Sequence, residues 1–123
     1  MKVGLVARGK PLEIVTNTAS KRKTEMAINF NRGERNFGSD AYALVSRKPQ
    51  QTFTKITTML GRHPDHLALK SILEHLPNAV SFNETRGGIE VELKDKDEDT
   101  TFTPEELVAM ILGQAQVILL SQA

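Results

Sequence analysis

Cysteine is absent from these 123 residues, which excludes a disulfide framework and any thiolate metal site. Tryptophan is absent too, and tyrosine occurs once, so there are few rings on which unpaired bases could stack. Neither sign of charge dominates. Sixteen Lys and Arg stand against 15 Asp and Glu, a net of +1, far from the field of a nucleic-acid binder. No apolar run approaches the roughly 20 residues that cross a bilayer. The opening Met1–Arg8 lacks the long apolar core of a secretory leader. Nucleic acid and membrane are therefore not expected among the partners.

What is present fits one folded unit. Apolar residues make up 39% of the chain and charged residues 25%, a globular balance, and the length suffices to bury a core. The charge is unevenly spread. Residues 1–35 hold eight Lys or Arg against three Glu, whereas residues 90–106 hold eight acids against two Lys. One edge can face anions and another is acidic and solvated.

The periodicity predicts an α+β chain of antiparallel strands with three to four helices. Strands are expected over 2–7 and 11–16 around a turn at Gly9, then over 25–30 and 35–37. In the third strand Met26, Ile28 and Phe30 alternate with polar residues, as in a strand buried on one face. Ser39 or Asp40 can cap a helix to about Lys48, before Pro49. An extended piece at 52–54 leads to a helical turn over 55–60 that Gly61 ends. Pro64 opens a helix carrying Leu69, Ile72, Leu73 and Leu76 on one stripe. A hairpin follows, 79–83 and 89–93 around Arg86-Gly87-Gly88, then a charged turn at Asp95–Asp99 and a strand at 100–102. That charged run lacks the glycine and terminal-glutamate spacing of a calcium loop. Thr103-Pro104-Glu105-Glu106 is a capping box with proline at the first helical position. Its helix, 104–121, has no charge after Glu106 and apolar residues on more than one face, the pattern of a buried helix. A strand with no lead-in at one end and an apolar helix at the other suggest a piece of something larger.

Chemistry is sparse. His63, His66 and His75 lie near Asp65 and Glu74, but His63 and His66 flank Pro64 and share no regular helix face, which favours structural or solvated histidines over a metal site. No nucleophile elbow and no Walker-type phosphate loop occurs. The remaining candidate is Lys21-Arg22-Lys23-Thr24, three cations and a hydroxyl where a loop enters a strand. It either meets a phosphate-like anion through charge-assisted hydrogen bonds or forms a solvated basic turn.

An ordered set of short motifs resembles the heat-shock protein 70 nucleotide-binding domain: Met1-Lys2-Val3, Pro11-Leu12-Glu13-Ile14-Val15, Arg22-Lys23-Thr24 and Glu34-Arg35-Asn36-Phe37-Gly38. The set continues with Pro49, Met59-Leu60-Gly61-Arg62, Phe102-Thr103-Pro104-Glu105-Glu106-Leu107 and Met110-Ile111-Leu112. Lys2 and Lys23 favour the family's large endoplasmic-reticulum branch. The resemblance implies part of lobe I of an actin-like ATPase: 1–37 an inner-subdomain hairpin and strands, 38–102 an outer subdomain, and 103–121 a helix returning inward. It implies an ATP-dependent, stress-responsive chaperone of the reticulum lumen with exchange-factor-like activity, using ATP or ADP with magnesium. Its partners would be unfolded clients and other heat-shock protein 70 or exchange-factor proteins. Arg22, Lys23, Thr24 and Thr57 would form the rim of the nucleotide cleft. Two positions depart from the pattern. Glu25 stands where the family has proline, and Thr57 where it has its catalytic lysine, a cation that a neutral hydroxyl cannot replace in phosphoryl transfer. The isolated chain is accordingly expected to be non-catalytic and to bind no nucleotide tightly. The alternative is a non-enzymatic module that docks a partner through helix 104–121.

Overall fold

A computed structural model describes residues 1–31, 33–94 and 99–122. The expected charged turn at Asp95–Asp99 lies, for residues 95–98, outside the described residues. Strands β1 (Val3–Leu5) and β2 (Glu13–Val15) form a two-stranded ribbon, with Val3 opposite Val15 and Leu5 opposite Glu13. Strands β3 (Ile28–Asn31), β4 (Glu34–Phe37) and β5 (Thr52–Phe53) form a second antiparallel sheet in the order β4-β3-β5. The third sheet, β6-β7-β8, comprises Val80–Asn83, Gly88–Lys94 and Asp99–Phe102. Helices α1 (Ser39–Tyr42), α2 (Ile56–Met59), α3 (Leu67–His75) and α4 (Pro104–Gln122) complete the α+β arrangement.

The core lies where the second and third sheets meet α2, α3 and α4. Ile28, Phe53, Ile56, Met59, Leu69, Ile89, Val91, Leu107 and Ile111 are all buried there. Each such side chain contributes about 1.5–3 kcal/mol on leaving water. Three rings consolidate it: Phe30 stacks on Phe102 at 4.9 Å, and Phe53 meets both edge-on at 5.9 and 6.4 Å.

Four expectations are corrected. The third strand is not half-buried. β3 is the central strand of its sheet, and Ala27, Ile28 and Asn29 are all buried. The Asn29 amide survives there because its Nδ2 donates to Thr52 Oγ1 at 2.8 Å while its Oδ1 accepts from Asn36 Nδ2 at 3.3 Å. The helix expected to Lys48 is a single turn whose N-cap is Gly38, without a side-chain cap. Beyond Tyr42 the chain coils through tighter bonds, Leu44 N–H to Ala41 O and Val45 N–H to Tyr42 O. α3 starts at Leu67, not Pro64, because His66 Nδ1 accepts the Ala68 N–H at 3.1 Å and serves as its cap. Finally, α4 is not buried all round. Leu107, Ile111 and Ala115 face the core, but Leu112, Val117 and Leu120 are 56%, 60% and 71% exposed. Among the described residues α2, β1 and β7 make substantial contact with it, and a second apolar face is left exposed.

The capping box forms as its residues predict. Glu106 N–H donates to Thr103 Oγ1 at 3.1 Å, and the Thr103 backbone N–H donates to Glu106 Oε1 at 3.4 Å. No helix among the described residues is long and apolar enough to cross a membrane.

Candidate functional site

The basic run belongs to a loop that one side chain shapes. Asn17 Oδ1 accepts the N–H groups of Ala19 and Lys21 at 2.9 and 3.0 Å. Its Nδ2 donates to Lys23 O at 3.2 Å and Thr24 Oγ1 at 3.1 Å. Asparagine favours such turns because its amide satisfies nearby backbone groups. The loop then joins the start of the chain: Thr24 N–H donates to Met1 O, and the Met1 ammonium donates to Thr24 O, both at 2.8 Å. Lys21, Arg22 and Lys23 are exposed, and none has an ion-pair partner among the described residues. Three solvated cations therefore project from a well-hydrogen-bonded backbone.

Thr24 turns the other way, into a cavity of about 220 Å³ with Asn17, Arg35, Asp40, Ile111 and Gln114 on its walls. Gly38 also lines it. Its φ of +64° is a left-handed conformation, and a Cβ there would lie 3.0 Å from Thr24 Cγ2. Any larger residue would strain the turn and press on Thr24.

Thr57 does not share that cavity. It is exposed on α2 and lines a separate depression of about 200 Å³ with Glu25, Met26, Tyr42, Thr54 and Lys55. Thr24 and Glu25 are adjacent in the chain, yet they border different hollows, as neighbouring residues of an extended segment do. Sequence reasoning passed over Lys55, which brings a cation to the depression two residues before Thr57, with its own backbone left-handed at φ +59°. A positive φ at a lysine has no signature in the residue order. A wider, open concavity of about 650 Å³ lies elsewhere, lined by Arg47, Lys48, Gln50 and Pro77. Lys48 is not a free cation in it, since its Nζ donates to Asn31 Oδ1 at 2.8 Å.

The histidines do not converge. His63 packs against the Phe82 ring at 4.3 Å, and its Nδ1 accepts the Asp65 N–H. His75 Nδ1 lies 2.7 Å from Ser71 O. Among the described residues no group of three or more His, Asp or Glu is arranged to hold a metal ion.

The cavity beside Thr24 is too small for a whole nucleotide. Small-molecule pockets run from about 300 to 1,000 Å³, above the roughly 220 Å³ beside Thr24, and carboxylates for a magnesium ion are not gathered among the described residues. The cationic loop and the Thr24 hydroxyl suit at most one edge of a phosphate.

The model of the family described as Hsp70 protein matches residues 3–119. Hypoxia up-regulated protein 1 of Danio rerio is 32% identical over 119 residues, which is 96% of this chain and 12% of that protein. The protein of the same name from Xenopus laevis is 34% identical over 116 residues, 94% of this chain and 18% of that protein. For the Homo sapiens protein the identity is 28% over 117 residues, 94% and 11% respectively. The chain thus spans between about a tenth and a fifth of the length of these relatives.

Proposed function

This chain belongs to the heat-shock protein 70 family, and on that premise we propose that it supplies lobe I surfaces to an ATP-dependent chaperone of the endoplasmic-reticulum lumen. The observation that carries the reading is the family match over residues 3–119, supported by the similarity to hypoxia up-regulated proteins over nearly the whole chain. Within it, residues 1–37 form the inner-subdomain part, 38–102 the outer subdomain, and 103–121 the helix that returns inward. Arg22, Lys23 and Thr24 form one rim of the nucleotide cleft, and Thr57 marks the position of the family's lysine. Unfolded clients, other heat-shock protein 70 chaperones and exchange-factor partners are the proposed partners, and ATP or ADP with magnesium the cofactor of the complete protein. Exchange-factor-like activity suits this rim better than fast hydrolysis, because Thr57 carries no charge to stabilise phosphoryl transfer.

Two measurements test the reading. Calorimetric titration of ATP into the 123-residue chain gives no micromolar dissociation constant; a micromolar value would overturn the expectation of an incomplete site. A longer protein carrying this segment suppresses aggregation of a denatured client and responds to nucleotide. Absence of both effects in a folded preparation would remove the chaperone reading.

A second reading rests on the open face of α4, where Leu112, Val117 and Leu120 stand exposed without any charged neighbour on the helix after Glu106. On this reading the chain is a docking module without catalysis. Leu120→Lys then lowers binding of an environment-sensitive dye and the apparent size in gel filtration. An unchanged profile in both counts against docking through α4.

A further inference from the structure

One surface feature is not used by the nucleotide-cleft reading. Asn83-Glu84-Thr85 is an Asn-x-Thr triplet with a non-proline centre, the acceptor pattern for N-linked sugar. The other asparagines, at 17, 29, 31, 36 and 78, lack a hydroxyl residue two places on. Two of these, Asn29 and Asn78, are also buried, with their amides committed to Thr52 and to Gln50 O. A glycan could not be accommodated at either.

We propose that Asn83 is an N-glycosylation site, modified at Nδ2 when the chain enters the reticulum lumen; the inference rests on the lumenal reading above. The triplet sits at the tip of the β6–β7 hairpin, where Glu84, Thr85, Arg86 and Gly87 are all exposed. β6 is an edge strand in the order β6-β7-β8, so among the described residues no further strand of this sheet lies beyond it. Asn83 itself is half-buried, and opposite it in the ladder stands Gly88, beside which the Arg86 guanidinium lies.

The hydrogen bonds of Asn83 tolerate the modification. Its Oδ1 accepts the Arg86 N–H at 3.1 Å and its backbone carbonyl accepts the Gly87 N–H at 2.8 Å, so the turn is closed by groups that a glycan leaves intact. Nδ2 donates to Glu90 Oε1 at 3.0 Å. A primary amide has two N–H donors and a glycosylated one keeps one, so the bond to Glu90 can persist. The co-reactant is a lipid-diphosphate-linked oligosaccharide, brought by the lumenal transferase. Nδ2 attacks C1 of the first sugar, and the N–C1 bond forms as the C1–O bond to diphosphate breaks. The lipid diphosphate departs with that electron pair, and Nδ2 gives up one proton to the transferase.

The full 123-residue chain tests this when fused to a cleavable secretory leader and, after Ala123, to a reporter acceptor triplet known to be used. The expected result is two glycans, both removed by an amidase specific for N-linked sugar, with peptide mapping placing one on Asn83. Asn83→Gln and Thr85→Ala each lose one glycan and keep the reporter's. A glycosylated reporter on a chain whose Asn83 peptide is unmodified would overturn the proposal. Failure of the lumenal reading shows differently: the leader-bearing chain is modified at Asn83, while the natural full-length protein is found outside the lumen and insensitive to the amidase.

Discussion

The N-terminal ribbon and the region around β7 are both antiparallel, yet they are held in different ways. β1 and β2 are three residues each, and the ribbon with its flanks exposes Val6, Leu12 and Ile14. Two strands alone are marginal in water. What anchors them is the pair of bonds between Met1 and Thr24, the burial of Val15 and limited contact with α4. β7, by contrast, is seven residues long, paired on both sides, with Ile89, Val91 and Leu93 buried. Stability is therefore concentrated away from the proposed cleft rim. The Asn17-bonded loop that carries Arg22 to Thr24 runs from this loosely held ribbon into β3, and the hairpin region is the firmer base.

Four substitutions probe this contrast, beginning with the largest effect. Phe53→Ala removes the ring that joins β3, β8 and the core, and should cost about 3–5 kcal/mol, read as a collapse of the urea midpoint. If the loss is below about 1 kcal/mol, the base is not where the stability lies. Asn29→Ala leaves Thr52 and Asn36 without their shared partner and should cost about 1–3 kcal/mol; a double-mutant cycle with Thr52→Val should show clear coupling. Thr103→Ala breaks the capping box and should lower stability by about 1 kcal/mol, with loss of helical circular dichroism. Leu12→Ser, on the exposed flank of β2, should stay within about 0.5 kcal/mol. Hydrogen exchange sharpens the same contrast: amides of β1 and β2 should exchange well before those of β7, and equal protection would erase the distinction between ribbon and base.

Much of this architecture is legible in the residue order because local signals suffice for it. Alternation at Ile89, Val91 and Leu93 marks β7, Gly61 ends the turn after α2 with φ +64°, and Thr103 to Glu106 announces α4. Interactions set by distant partners were not legible. Asn29 reads as a wet-face residue until β5 arrives from 23 positions away. The length of α1 depends on bonds beyond Tyr42 that compete with the helical ones, and no residue type signals that competition. The candidate rim was legible as composition, three cations and a threonine, but not as geometry. Nothing in the order of residues separates Thr24 from Thr57 into two hollows, because that follows from how the Thr24–Met26 segment passes between Gly38 on one side and α2 on the other.

The Asn29 contacts bear on how the middle sheet assembles as well as on how it is held. Its amide partners are the residues that face it across both ladders, Asn36 on β4 and Thr52 on β5. If either pairing slips by one residue toward Phe53 or Phe37, the amide meets a ring and the opposite polar group is stranded. Each such error carries a penalty of about 1–3 kcal/mol, which apolar side chains, tolerant of sliding, would not impose. The sheet thus carries a register mark of its own, since the native alignment is the one that pairs Asn29 with both Asn36 and Thr52.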